Sequence, residues 1–514
     1  MKKIKIYIPI LAGALILGGC SKEFLEADPS EFVSKEQIDE AAEDRPVVAA
    51  GTLAGLYSLM YTAFSGGTTG HDDFGHKGND IYSDMLTGDM VLGAYIYGWY
   101  RDIVEYQSTT DFTYQDNYQI WRFYYQIIYG ANNVIDGLGG NDAIPDDAES
   151  KYVLGQAKAM RGFAYFYLAN FFGEGYKPSE EILPIYTGLE DAQPLSTTEE
   201  VYEVIISDLT HAVELLGGFQ RAAKTEINQD VAKGLLAYAY AAQGEYEEVK
   251  QLTQDFIGGN YPLTSREEVV YTPVYDEEGN LVSDNLTEAG FNDASAASWM
   301  WGVDITLDYG LDLVSWWGQV DITTYSYTSV GDMKTIGSEL YEAIPENDVR
   351  KNQFVDFMDN GTLYPVNKFY HEDRVAGGQR LVTTDYLYMR AAEMYLLHAE
   401  ASYHTGDEAA ARADLRALLE ERLIDEDESG DLIEELAYID MLSGEDLLDE
   451  IYLQTRIELW GEGKSYLAMK RLEKTVTMPS NHLSLPGQSY SFDSDELTFE
   501  IPQNERQNNP NINL

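Results

Sequence analysis

A single cysteine, Cys20, occurs in a chain of 514 residues, so no internal disulfide framework holds the fold. Basic side chains are also scarce. Lys and Arg number 34 against 88 Asp and Glu, a formal net charge of −54. That balance opposes nucleic acid or anionic lipid as the main ligand, because neutralising phosphates takes cations. Beyond the first twenty residues no apolar run is long enough to cross a bilayer. Enzyme signatures are missing too. No Gly-x-Ser-x-Gly or His-Glu-x-x-His stretch occurs. Glu458–Ser465, ELWGEGKS, ends like a phosphate loop but has Glu458 at the first glycine position and reads as helix. Paired carboxylates are so numerous that they single out no active site.

What is present is apolar and aromatic. Hydrophobic residues make up 44% of the chain, enough for a large core, and 39 tyrosines supply most of the 12% aromatic share. Met1–Lys5 is basic, Ile6–Leu17 is apolar, and Leu17-Gly18-Gly19-Cys20 follows, the layout of a secretory signal. Leu-Gly-Gly-Cys resembles the bacterial lipoprotein box, which implies a signal peptide over residues 1–19 and acylation of Cys20. Several acyl chains anchor stably where one binds reversibly. Residues 20–45 then form a polar, acidic tether containing Pro29.

The body, residues 46–514, is organised around Leu387–Leu419. Its first half is apolar around most of a helix, so it is expected between layers. Gly406 stops that helix and Asp407 can cap a second. Arg390, Glu393, Leu397 and Glu400 form a narrow stripe, read as a buried ion-pair network joining helices rather than a catalytic set. A shift of 162 positions sets Leu235 on Leu397, Ala237 on Ala399 and Gly244 on Gly406, so the hairpin recurs. Helix, glycine turn and helix, repeated, is a tetratricopeptide-like pattern. Helical pairs are expected near residues 118–172, 199–257, 387–423 and 446–474, with a first helix at Pro46–Tyr61 and a capping box at Thr197–Glu200. The fold class is therefore mostly α: a helical hairpin array with a large loop-rich, minor-β insertion. The loop-rich parts lie near residues 64–111 and 258–385, with a strand at Trp299–Thr306 and another candidate at Leu497–Ile501.

Ligands are usually met on such loops. Tyr95, Tyr97 and Trp99 alternate, sharing one side if extended, with Arg101 beside them. Trp316 and Trp317 are adjacent, so their side chains diverge and one is expected to be exposed as a flat stacking surface. Trp299 and Trp301 alternate with apolar residues and are expected inside. Asp80 and Asp84 follow the glycine-rich loop and can accept hydrogen bonds from hydroxyls. Asp425, Asp427, Ser429 and Asp431 are spaced like a calcium loop, although its twelfth position is Leu436. Calcium is thus the one cofactor suggested, and none is required. His71 and His76 flank Asp72-Asp73 without a recognisable zinc spacing.

Gly155–Gly173, GQAKAMRGFAYFYLANFFG, with Leu183-Pro184 downstream, resembles a segment of the SusD/RagB family of outer-membrane lipoproteins. Leu387–Gly406 and Leu448–Arg471 are similar to two further helices of that family, and Asn509-Pro510 to its terminal motif. There are departures: Ile457 follows Arg456 where a second basic residue is common, Lys464 replaces arginine, and Leu423–Glu435 is acidic. The resemblance implies a lipid-anchored protein on the outer face of the outer membrane. It would capture oligosaccharides, and the residues read above from their own chemistry, Trp316, Trp317, Trp99, Tyr97, Arg101, Asp80 and Asp84, are the ligand-binding candidates. Its partner would be a SusC-like TonB-dependent barrel, over which it closes as a lid, and it would not be an enzyme. Peptide capture by the same mechanism, a glycoside hydrolase using paired carboxylates, and a protein-binding scaffold are the competing readings.

Overall fold

The computed structural model describes residues 46–188, 191–425 and 432–512. Cys20 and its tether therefore lie outside the described residues.

The helical half starts with α1 (Pro46–Leu59) and α2 (His76–Leu86). The glycine-rich segment after residue 64 is thus a loop only as far as Gly75; from His76 it is a helix buried along its whole length. After a short strand β1 (Met90–Ala94) and a single turn α3 (Arg101–Val104), the array continues with α4 (Gln115–Gly137) and α5 (Ala148–Phe172). A hairpin of β2 (Glu181–Pro184) and β3 (Leu195–Thr197) leads to α6 (Thr198–Leu215), α7 (Gln229–Gln243) and α8 (Tyr246–Thr253). Thr197 and Glu200 form the expected capping box. From α4 to α8, successive helices pack on each other. Arg161 on α5 ties three of these layers: it donates to Asp208 of α6 at 2.7 and 2.8 Å and to Asn132 of α4 at 2.7 Å.

The insertion supplies β4 (Trp299–Val303), α9 (Trp316–Val320) and β5 (Met333–Ile336). The chain re-enters the array through β6 (Tyr386–Arg390), α10 (Ala391–His404), α11 (Glu408–Glu420), α12 (Glu445–Glu458) and α13 (Lys464–Arg471). Leu387–Arg390 is therefore strand rather than the start of the helix. Its residues pair antiparallel with β4, Trp299 opposite Arg390 and Val303 opposite Tyr386, and that ladder overrides the helical period. Trp299 and Trp301 are buried as expected. Leu497–Ile501 forms no strand; a 3-10 turn occupies Asp495–Leu497.

The charged stripe on α10 is an ion-pair network. Arg390, Arg350 and Arg422 converge on Glu458 at 2.6, 3.0 and 2.8 Å, Arg390 also meets Glu462 at 2.8 Å, and Glu400 pairs with Arg471 at 2.7 Å. The phosphate-loop-like stretch is where this network sits. It is a turn between α12 and α13, with Gly461 and Gly463 at φ 80° and 73°, and not continuous helix.

Candidate functional site

Two segments far apart in sequence meet through one antiparallel ribbon. β1 pairs with β5, Leu92 opposite Lys334 and Ala94 opposite Met333, which brings residues 95–100 against residues 321–332. Asp332 then fixes the loop after β1 by accepting from the backbone N–H of Tyr97 at 2.8 Å. The loop is not extended, because Gly98 adopts φ 81° and Tyr100 φ 69°. Alternation consequently fails: Tyr95 lies under the Arg101 guanidinium at 5.1 Å, while Tyr97 and Trp99 turn to a common neighbour, Tyr327, with ring centroids 5.2 and 5.9 Å away.

His71 completes the cluster. Its ring stacks on Trp99 at 5.0 Å with 1° between planes, and a ring nitrogen lies 2.6 Å from the Tyr327 hydroxyl. Phe64 meets the His71 ring edge-on at 6.2 Å. Beneath them, Gln319 donates to the His71 carbonyl at 2.7 Å and accepts from the Lys334 ammonium at 2.9 Å. Burial pushes that ammonium down to about 7, against the opposing pull of Asp332 and Asp72. The platform is thus braced from below and open above: Tyr97 is 60% exposed and Phe64 44%. Exposed aromatic faces held in fixed mutual geometry are suited to stacking on the flat, apolar face of a sugar ring.

A polar cavity of about 270 Å³ adjoins the platform, lined by Tyr97, Trp99 and Tyr100 on one side and by Asp72, Asp116 and Gln119 on the other. The Tyr82 hydroxyl donates to Asp72 and lies 3.4 Å from Asp116, and Ser108 donates to the second Asp116 oxygen. Burial, reinforced by the charge of Asp72, pushes the Asp116 carboxyl up to about 7.

The remaining expected ligand residues are placed elsewhere. Trp316 and Trp317 are both 1% exposed, which corrects the expectation that one of them is a surface ring. α9 is itself buried, so both rings are covered: Trp316 carries the Lys77 ammonium 4.4 Å from its ring centroid, and both rings pack edge-on against Phe369. Asp80 and Asp84 are corrected likewise. Both are buried on α2, Asp80 paired with Lys77 at 2.7 Å and Asp84 accepting from the Gly461 N–H at 2.7 Å. Burial, with Asp89 and Asp80 nearby, holds the Asp84 carboxyl well above the usual carboxylate range. Arg101 is exposed and engaged with Glu105 at 2.9 Å.

His76 is enclosed by Tyr124, Phe163 and Tyr167, away from His71. Among the described residues no group of three or more His, Cys, Asp or Glu side chains is placed to hold a metal ion. Of the calcium-like loop, Asp427, Ser429 and Asp431 lie outside the described residues, and Asp425 stands at their edge. Phe64, His71, Tyr327, Asp72 and Asp116, which complete the platform and its cavity, are not among the ligand-binding candidates the sequence offers. His71 and Tyr327 are too far apart in the chain for any local pattern to join them; only the β1–β5 register does.

Comparison with known proteins fits this architecture. A family model described as "Starch-binding associating with outer membrane" matches residues 73–241, and one described as "SusD family" matches residues 321–513. A SusD-like protein P25 of Formosa agariphila is 28% identical over 198 residues, 37% of this chain and 34% of that protein. A SusD-like protein of Bacteroides ovatus is 26% identical over 251 residues, 46% of this chain and 38% of that one. The chain's matches therefore span little more than a third of those relatives' length. Among solved structures, a SusD-like carbohydrate binding protein from Bacteroides vulgatus superposes with a TM-score of 0.70 at 22% identity, covering 91% of this chain and 97% of that one. Surface glycan-binding protein A from Bacteroides thetaiotaomicron, in complex with laminarihexaose, superposes with a TM-score of 0.63 at 15% identity, over 90% and 97% of the two chains.

The fold is thus that of the SusD-like proteins, a mostly α array carrying a loop-rich insertion. The chain belongs to the SusD/RagB family.

Proposed function

We propose that this protein is a non-catalytic capture subunit that binds oligosaccharides at the Tyr97–Trp99–His71–Tyr327 platform and hands them to a TonB-dependent outer-membrane barrel, over which it closes. The single observation that carries the reading is the platform itself: four rings, braced by Gln319 and Lys334, beside a polar cavity. An aromatic face beside convergent polar groups is the usual construction of a small-ligand site. Cys20 would carry the lipid that holds the chain at the membrane. No described helix is long and apolar enough to cross one. Tethering over the barrel raises the effective concentration for handover, so moderate affinity suffices.

Glycoside hydrolysis is disfavoured by the carboxylate arrangement. A glycosidase sets its two acids on either side of the scissile bond, roughly 5–10 Å apart. Here Asp72 and Asp116 are bridged by the Tyr82 hydroxyl.

Calorimetric titration with a panel of oligosaccharides, together with co-purification of the acylated protein from outer membranes, tests the proposal. Saturable glycan binding and a co-purifying barrel are expected. Binding of peptides alone, or of no polymer at all, would overturn it.

A further inference from the structure

We propose, building on glycan capture at the platform, that the adjoining cavity takes the protonated amine of an amino-sugar residue in the captured chain. Its volume of about 270 Å³ falls just below the ~300–1,000 Å³ of pockets that hold drug-sized ligands, so it admits about one ring. Asp72, Asp102 and Asp116 line it, and no Lys or Arg does.

The acceptors in this cavity outnumber the donors. The Tyr82 hydroxyl has one hydrogen for two carboxylates, Ser108 adds one more to Asp116, and Gln119 donates to the Tyr82 oxygen at 3.2 Å rather than to either acid. The nearest cations are committed elsewhere. Lys334, whose field reaches Asp72, donates to Gln319 and to the Asp332 carbonyl at 2.9 and 3.2 Å, and Arg101 beside Asp102 is held by Glu105. Asp73, behind Asp72, is bound by Thr68 and the Gly66 and Thr68 N–H groups. The charges that act most on Asp116 are Asp72 and Asp102, both of the same sign.

A second observation points to a guest. Tyr100 lines the same cavity and is only 3% exposed, and among the described residues its hydroxyl has no hydrogen-bond partner. Its backbone is held at φ 69°, a conformation that costs energy for a side chain of this size. An orphaned buried phenol and a surplus of carboxylate oxygens are both satisfied by one residue bearing an ammonium and a neighbouring hydroxyl. Uronate or sulfated residues would meet like charge there and be excluded.

The test uses the full-length mature protein and calorimetry with three oligomers of equal length and linkage: glucosamine, N-acetylglucosamine and glucose. At about pH 6 the glucosamine oligomer is expected to bind at least about tenfold more tightly than the glucose oligomer, and Asp116→Asn to collapse that ratio to about threefold or less. Asp255→Asn, an exposed acid on the helical half, should retain the ratio, which separates the cavity from the general pull of a net charge of −54. Titration in buffers of different ionisation enthalpy supplies a readout that needs no variant. The glucosamine oligomer should release protons on binding at about pH 6, and the glucose oligomer none. Equal affinities, equal proton release, or a ratio that survives Asp116→Asn would overturn the amine site while leaving glycan capture intact. Binding of no oligomer would remove both. A free-amino peptide of equal length that outcompetes the glucosamine oligomer would assign the cavity to peptide amines instead.

Discussion

Glu458 accepts from three arginines at zero exposure, and burial of so many charges is tolerable only while the set is complete. Removing the charge would leave Arg422 without a carboxylate partner and Arg350 and Arg390 with only Asp348 and Glu462, so Glu458→Gln is expected to destabilise by about 3–5 kcal/mol in denaturant titration. The arginines hold the Glu458 carboxyl well below the usual carboxylate range even though burial, the largest influence, acts the other way. A lowered native pKa means the contribution is present above the ordinary value of ~4.3 and lost as pH falls further toward the native one. Asp116 has the opposite sign. Its native carboxyl is raised to about 7, so the native state is progressively penalised as pH climbs from ~3.9 past 7. Asp116→Asn is therefore expected to stabilise on the order of 1 kcal/mol at about pH 8 and much less at about pH 5, read from paired unfolding curves. The ionic stripe was legible from sequence because residues three and seven apart share a helical face, whichever helix answers them. The Asp116 site was not: its partners come from α2 and from the turn after α3, and no spacing records that meeting.

At the scale of elements, the two recurrent hairpins turn on equivalent glycines. Gly244 and Gly406 sit at φ 77° and 82°, and no atom lies within 4 Å of where a Cβ would stand, so an added methyl group would meet backbone strain and no clash. Gly244→Ala and Gly406→Ala are each expected to cost about 1–2 kcal/mol. Gly51, in the exposed interior of α1 with equally open surroundings, should do the reverse, Gly51→Ala gaining roughly 0.5–1 kcal/mol. Thermal unfolding of the three variants checks the contrast. These turns could be read in advance because a glycine that ends an apolar helical stretch has a local cause. The strand at Tyr386–Arg390 could not, since its conformation is set by pairing with β4, whose residues lie more than eighty positions earlier. Trp316 and Trp317 illustrate the same limit: divergence of neighbouring side chains follows from geometry, but exposure depends on whether the whole element is covered, and α9 is.

Over the whole molecule, the helical half positions a loop-rich half through two antiparallel ribbons, β1–β5 and β4–β6, and the aromatic platform stands where the first ribbon ends. The order of helices, the repeated hairpin and the insertion could be read from periodicity and glycine placement. The platform was only half legible, Tyr97 and Trp99 from their aromatic clustering and His71 and Tyr327 not at all. Because Tyr97 is exposed and its ring meets Tyr327 edge-on, its loss should spare the fold. Capture at the platform is therefore tested most directly by equilibrium binding of an oligosaccharide panel to the wild-type chain and to Tyr97→Ala and Trp99→Ala, with reducing ends assayed in the same samples. Saturable binding is expected, weakened about tenfold or more in each variant, the equivalent of ~1.4 kcal/mol per ring, with no new reducing ends. Binding undiminished in both variants, or reducing ends that accumulate with time, would contradict non-catalytic capture at these rings.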